Sequence, residues 1–301
     1  MSNIILLFLC MLTGMALRRY GRVPDNAHAA LNGFIINVAL PALTLLQIHG
    51  IKLHSSLAYA VAMPWLLFTI AVVFFWGASK LLRFTPATTG GLILVAGLGN
   101  TSFVGLPMIE AFYGAHGMPI GILIDQLGTY LVLSTLGIAV AALCSSEAAS
   151  SVDILKRVCT FPPFIALVVS LLLLPVEYPE WLVGVLRRLG DTLAPLALVS
   201  VGLQMRLDKL AGIRVPLSIG IAFKLLVGPA LVMLVYVGLL RATGHVVQIT
   251  LFESAMGPMI GASIVAIQHR LNPPLITLLV GIGISASFLS LPLWWYMLQG
   301  V

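Results

Sequence analysis

The segment Gly97-Leu-Gly-Asn-Thr-Ser-Phe-Val-Gly-Leu-Pro-Met108 interrupts an apolar run, residues 87–112, that is long enough to cross a bilayer. It holds three glycines, a proline and three consecutive polar side chains, Asn100, Thr101 and Ser102. Pro107 removes a backbone donor and clashes with the carbonyl four residues back. The glycines, Gly105 among them, relax the chain just before it. In hydrocarbon a helix opens only where the freed backbone groups are buried in protein or line a wet cavity. An interruption of this kind is the element from which many secondary transporters build a substrate site.

The rest of the chain reads as the scaffold for that break. Of the 301 residues, 60% are hydrophobic and only 9% charged, and the mean hydropathy is +1.08. Soluble domains carry about 25% charged residues, so the expected fold class is an all-α integral membrane protein. Spans of about 20–25 residues divide the chain into ten: 3–18, 27–48, 56–79, 87–112, 118–143, 158–176, 182–204, 213–240, 245–268 and 273–298. The seventh begins with a piece carrying Arg187, Arg188 and Asp191, which suits an interfacial amphipathic helix leading into a shorter span. Arg18 and Arg19 follow the first apolar run, and no small-residue cleavage site precedes them, so that run reads as a retained span.

Composition also excludes several classes. The formal charge of +6 sits in short loops between apolar spans, which argues against nucleic acid as a partner. Cys10, Cys144 and Cys159 give no disulfide framework and no metal spacing, and the six histidines form no ligand pattern. No cofactor or metal is expected. No Ser–His or paired-Asp arrangement falls at one depth, so no enzyme is expected either.

Orientation follows from basic residues in the loops. One alternate set holds eleven: Arg18, Arg19, Arg22, Lys80, Arg83, Lys156, Arg157, Arg206, Lys209, Arg214 and Arg270. The other holds four: Lys52, Arg187, Arg188 and Arg241. The first set is expected in the cytoplasm and both termini outside. The polar stretch 144–157 separates a first five-span half, 1–143, from a second, 158–301. An odd number of spans per half makes the halves inverted.

Internal spacing agrees with a repeat. Pro41 lies 66 residues before Pro107, and Pro195 lies 63 residues before Pro258. The ninth span, Glu253-Ser-Ala-Met-Gly-Pro-Met-Ile-Gly261, is broken by Gly257 and Pro258 as the fourth is by Gly105 and Pro107. Matched Gly/Pro-interrupted spans in corresponding positions point to a transporter site. At about 1.5 Å per residue, Asn100 lies about 18 Å and Pro258 about 20 Å into their spans, near the middle of a core of about 30 Å. Proline favours the first position of a helix. Pro107 and Pro258 are therefore expected each to start a second half-helix, with unpaired N–H groups and positive dipole ends converging there. Such a place suits an anion, most simply a carboxylate, and Asn100, Thr101 and Ser102 add donors without charge.

Four further polar residues lie inside spans. Asp125 and its neighbour Gln126 are about 10 Å deep, Glu253 about 12 Å and Lys224 about 16 Å at the same rise. A charge at that depth costs at least about 2.5–3.5 kcal/mol, and a lysine stem of about 6 Å does not reach the surface from there. These four are the candidates for ion coupling, Lys224 being equally suited to a structural ion pair. Glu110, near the outer end of its span, reads as interfacial, and Trp294, Trp295 and Tyr296 read as an outer aromatic belt.

At these residues the chain resembles the auxin efflux carrier family, which includes bacterial organic-acid carriers and the plant PIN proteins. Asn100-Thr-Ser-Phe-Val-Gly-Leu-Pro107 is similar to the family's fourth-span crossover motif, an Asn-Thr followed by Gly-x-Pro. Ser254-Ala-Met-Gly-Pro258 is similar to its ninth-span motif, and Pro41 and Pro195 fall where the family has prolines. The resemblance implies broken crossover helices four and nine in two inverted repeats of five. The first two spans of each repeat would form a scaffold and the last three a moving transport domain. A carboxylate would bind at the crossover, with Asn100, Thr101, Ser102, Gly105, Pro107, Ser254, Gly257 and Pro258 around it. Two departures stand out. Gly257 replaces a usual proline, and Gly261 stands where a second Asn is expected, so the ninth-span side would hold substrate by backbone alone. The family is also distantly like the sodium–bile acid symporters, in which an acid in the place of Glu253 helps to bind sodium.

The expected function is elevator-type alternating-access transport of a small organic anion, a dicarboxylate such as malate or malonate or an auxin-like monocarboxylate. The expected setting is a homodimer in the lipid bilayer of a plasma (bacterial inner) membrane. Coupling to a proton, or to nothing, fits better than sodium, since Gly257 and Gly261 remove side-chain oxygen ligands. The alternatives are a sodium-coupled symporter of a larger organic anion and a channel or receptor-like membrane protein.

Overall fold

The computed structural model describes residues 2–24, 26–49, 55–145, 159–204 and 213–301, with side chains from residue 9 onward. Most of the expected linker 144–157, and the basic residues Lys52, Lys156, Arg157, Arg206 and Lys209, lie outside the described residues. Among those described the secondary structure is helical, without a strand. Five helices among the described residues are long and apolar enough to cross a membrane: Ala27–His49, Leu57–Leu82, Ala115–Cys144, Arg214–Leu239 and Pro273–Leu298. Pro86–Gly97 and Pro162–Leu172 are apolar but shorter.

In chain order the helices are α1 (Ser2–Arg19), α2 (Ala27–His49), α3 (Leu57–Leu82), α4 (Pro86–Gly97), α5 (Leu106–Tyr113) and α6 (Ala115–Cys144). There follow α7 (Pro162–Leu172), α8 (Glu180–Gly190), α9 (Leu193–Gln204), α10 (Arg214–Leu239), α11 (His245–Ser254), α12 (Ile260–Gln268) and α13 (Pro273–Leu298). The expected seventh span is thus two helices. The amphipathic α8 exposes Arg187 and Arg188 and buries Leu186, and α9 is the shorter apolar piece after it. Pro195 falls in the first turn of α9, where a missing N–H costs no hydrogen bond. Pro41 sits just past a wide π turn, Ile35–Ala39, in which Leu40 reaches back to the carbonyl of Ile35. A π turn absorbs an irregular hydrogen-bond ladder without ending the helix, so α2 runs on through its proline.

The chain forms two compact units, and neither is one half of the sequence. The first comprises Met1–His54, Ser102–Ile122 and Lys156–Met205. Within it α1 packs along α9, and α7 and α8 pack on the second half of α2. A Cβ on Gly14 would stand 2.2 Å from the carbonyl oxygen of Val199, and one on Gly202 2.1 Å from that of Met11. Only paired glycines let the α1 and α9 backbones approach so closely, as small residues do between membrane helices. α5 joins the same pair.

The second unit comprises Ser55–Thr101, Leu123–Leu155 and Arg206–Val301. Here α3 packs against α4, α6 and α11, and α13 covers α4 and α11. Phe74, Phe75 and Phe223 form a ring cluster, each of the first two 4.8 Å from Phe223. A Cβ on Gly128 would meet Pro64 at 2.5 Å, so the kink-forming proline of α3 nests against a glycine of α6. Trp294 departs from the expected aromatic belt. It is buried and donates its indole N–H to the carbonyl of Leu225 at 2.8 Å, satisfying the polar edge of the ring inside protein. Tyr296, by contrast, is exposed.

Candidate functional site

The fourth-span interruption lies earlier than the prolines suggest. α4 ends at Gly97, and Leu98 is extended (φ −113°, ψ 137°). Helical structure resumes at Thr101 as a π turn, Thr101–Gly105, which passes directly into α5. Gly105 has right-handed helical angles and Pro107 lies in the first turn of the regular segment. Neither residue makes the gap, which corrects the expectation that Pro107 starts the second half-helix. The proline cannot donate to the carbonyl four residues back, and the wide turn before it accommodates that loss. In the ninth span α11 ends at Ser254 and α12 begins at Ile260, with extended Met259 at its start (φ −74°, ψ 124°). Pro258 belongs to the gap and does not begin the helix after it.

The two gaps pair with each other. Gly99 and Pro258 form an isolated antiparallel β-bridge. The N–H of Asn100 donates to the carbonyl of Gly257 at 2.8 Å, and the N–H of Met259 donates to Leu98 at 3.2 Å. Main-chain groups that a membrane helix must otherwise satisfy within itself are here satisfied by the second interruption. The expectation that these N–H groups converge unpaired therefore needs correction, since those of Asn100 and Met259 are committed to the bridge. The first N–H groups of α12, beyond the bridge, have by geometry no intrahelical acceptor.

Glycine is required at this joint. A Cβ on Gly257 would stand 2.9 Å from the Ser287 hydroxyl and 3.0 Å from the Ile284 Cα of α13. The replacement of the usual proline thus follows from how closely α13 crosses the gap. At Gly283, on the same helix, a Cβ would stand 2.5 Å from the Pro258 ring.

Around the bridge the second unit gathers buried polar groups. Asn100, Thr101, Asp125, Gln126, Lys224, Glu253 and Ser254 are all buried. The Thr101 hydroxyl donates to the Asp125 carboxylate at 2.6 Å. The Lys224 ammonium donates to the carbonyl of Ser254, the last residue of α11, at 2.9 Å. Glu253 interacts electrostatically with both Asp125 and Lys224, yet neither of its carboxylate oxygens has a hydrogen-bond partner among the described residues. It borders a narrow void, with no room for a water, alongside Gly97, Gly99, Thr101, Thr129 and Pro64. Asp125 and Lys224 each lie on a π turn, Ile124–Thr129 and Phe223–Val227.

The structure therefore brings Asn100, Thr101, Asp125, Gln126, Lys224, Glu253, Ser254, Gly257 and Pro258 together in one unit, while Ser102, Gly105 and Pro107 belong to the other. Sequence reasoning missed Gly99, which pairs with Pro258, and Thr101 as the partner of Asp125. The adjacent Gly99-Asn100 pair was the only signal for the first, and nothing in the spacing signalled the second. A larger cavity, about 440 Å³, lies within the first unit and is lined by Leu43, Gln47, Glu110, Arg187 and Asp191 among others. It lies at the junction of α8 and α9, with Gly190 and Leu193 in its lining, and holds none of the expected site residues, so the bridge is the better candidate site.

A family model described as "Membrane transport protein" matches residues 1–154 and 145–295. An uncharacterised transporter of Methanothermobacter thermautotrophicus is 25% identical over 300 residues, covering 97% of this chain and 96% of the relative. An uncharacterised transporter of Methanocaldococcus jannaschii is 25% identical over 308 residues, covering 99% and 98%.

Proposed function

This chain belongs to the membrane transport protein family, the auxin efflux carrier family that its motifs resemble, and on that premise we propose that it is a secondary carrier of a small organic anion. It is a multi-pass membrane protein of a transporter family. The observation that carries it is the bridge between the two interrupted helices, Asn100 to Gly257 and Met259 to Leu98. Beyond the bridge two helices restart, at Thr101 and at Ile260. The first turn of α12, in the same unit as the bridge, presents N–H groups and a positive dipole end, which favour a carboxylate. The buried side chain of Asn100 and the hydroxyl of Thr101 add uncharged polar groups in the same unit.

The proposed movement is alternating access of the elevator type, in ten spans arranged as two inverted repeats. It is supported by the way each compact unit draws on both halves of the sequence. The first unit collects α1, α2 and α7 to α9, and the second collects α3, α4 and α10 to α13. The test is counterflow in proteoliposomes against a panel of labelled mono- and dicarboxylates. Exchange of a carboxylate, and not of its amide, is the expected result. A single-channel current, or binding without flux, would remove the carrier reading.

A further inference from the structure

We infer that Lys224 is a tethered cation: its ammonium occupies the place at the end of α11 that would otherwise take up a small monovalent cation from solution. The inference deepens the carrier reading and rests on it for its consequence, that transport proceeds without sodium.

Three observations lead there. First, α11 stops at Ser254 in the interior of the second unit. The last carbonyls of a helix lack intrahelical donors and carry the negative end of its dipole. Interrupted membrane helices use such ends to coordinate cations. Second, the neighbouring Glu253 is fully buried, and neither carboxylate oxygen has a hydrogen-bond partner among the described residues. An anion so placed costs several kcal/mol unless a positive charge lies near. Third, Lys224 reaches this place from α10. Its Nζ, fully buried, donates to the Ser254 carbonyl at 2.9 Å and interacts electrostatically with Glu253. Gly99 makes the room, since a Cβ there would already stand 3.3 Å from Nζ. The ammonium thus faces a helix C-terminus and Glu253, with Asp125 acting on Glu253 from α6.

A soluble cation at this spot would meet the same carbonyl and the same carboxylate. It would have to displace an ammonium already covalently held there. Shortening Lys224 to alanine removes three carbons and the nitrogen, the outline of propylammonium. What remains is a buried acid beside a helix C-terminus, which a free cation then fills.

The experiment is thermal unfolding of the purified full-length protein in choline, sodium, lithium or propylammonium chloride at equal ionic strength. Anything that binds only the folded state raises Tm. The wild type is expected to melt at the same temperature in choline and in sodium. Lys224→Ala is expected to melt several degrees lower in choline and to recover in propylammonium or sodium, and Glu253→Gln added to it should abolish the recovery. A sodium-specific rise in the wild type, or an alanine variant indifferent to every cation, would overturn the inference. If Lys224→Ala cannot be recovered folded, Lys224→Met with Glu253→Gln, which removes both charges, decides alongside the wild type. That pair should fold and ignore all cations, and cation-dependent melting of it would count against the tethered ammonium. No organic anion enters this measurement, so a failed counterflow assay and a failed cation response are separate results.

Discussion

Asn100 and Gly257 are joined main chain to main chain, the N–H of one donating to the carbonyl of the other at 2.8 Å. Two helices of opposite halves of the sequence are thereby interrupted at a shared point. Each supplies what the other lacks, and neither gap could persist in hydrocarbon alone.

Gly257→Ala should weaken the fold. The new methyl would lie 3.0 Å from the Cα of Ile284, a backbone atom that cannot rotate away. Overpacking of this kind costs about 1–3 kcal/mol. A clear drop in Tm of the detergent-purified variant is expected, and a variant melting with the wild type would mean that α13 does not cross so closely.

Thr101 and Asp125 should behave as one unit. Their 2.6 Å hydrogen bond is buried, and a bond to a charged acceptor is worth about 1.5–3 kcal/mol. In a cycle of Thr101→Val, Asp125→Asn and the double variant, the second substitution should cost much less after the first. Strictly additive effects on stability would show that the contact carries nothing.

Asn100→Ala should lower affinity for the transported anion about 10- to 100-fold, the equivalent of about 1.5–3 kcal/mol for a hydrogen bond to a charged group. Folding should survive, because the bridge bond is made by the backbone N–H of Asn100, which the substitution keeps. Unchanged affinity in a well-folded variant would move the site elsewhere.

Cysteines at Ser55 and Ser151, introduced after replacing Cys10, Cys144 and Cys159, should label from opposite faces of the membrane. The imbalance of eleven basic residues to four predicts a cytoplasmic position for the stretch 144–157. Reaction of both from one side would rule out ten spans in inverted halves.

The sequence made the existence of two gaps legible, because Gly and Pro inside long apolar runs leave few other readings. Their positions were less legible. Pro107 is conspicuous, yet a proline in the first turn of a helix is well tolerated, and the chain opens instead at Leu98–Asn100, where Gly99 permits close approach to Lys224. Lys224, Glu253 and Asp125 were legible as costly buried charges. Their partners were not, since a carbonyl at Ser254 and a hydroxyl at Thr101 have no distinctive spacing. Trp294 was misread for the same reason, as an indole facing a carbonyl inside protein has the same sequence as one at an interface.

The π turns under Asp125 and Lys224 have a consequence for how this chain can change in length. A π turn is a helix turn that has taken in an extra residue, so the helix on either side can keep its face. Within Ile124–Thr129 or Phe223–Val227, deleting one residue would close the turn to regular α geometry and leave the flanking apolar surfaces in register. Leu133–Gly137 in α6 and Leu234–Leu239 in α10 are π turns of the same kind, whereas the same deletion in the regular α-helical parts would rotate everything beyond it by about 100°. Insertions and deletions tolerated inside these membrane helices should therefore fall at the π turns, two of which carry the buried charges.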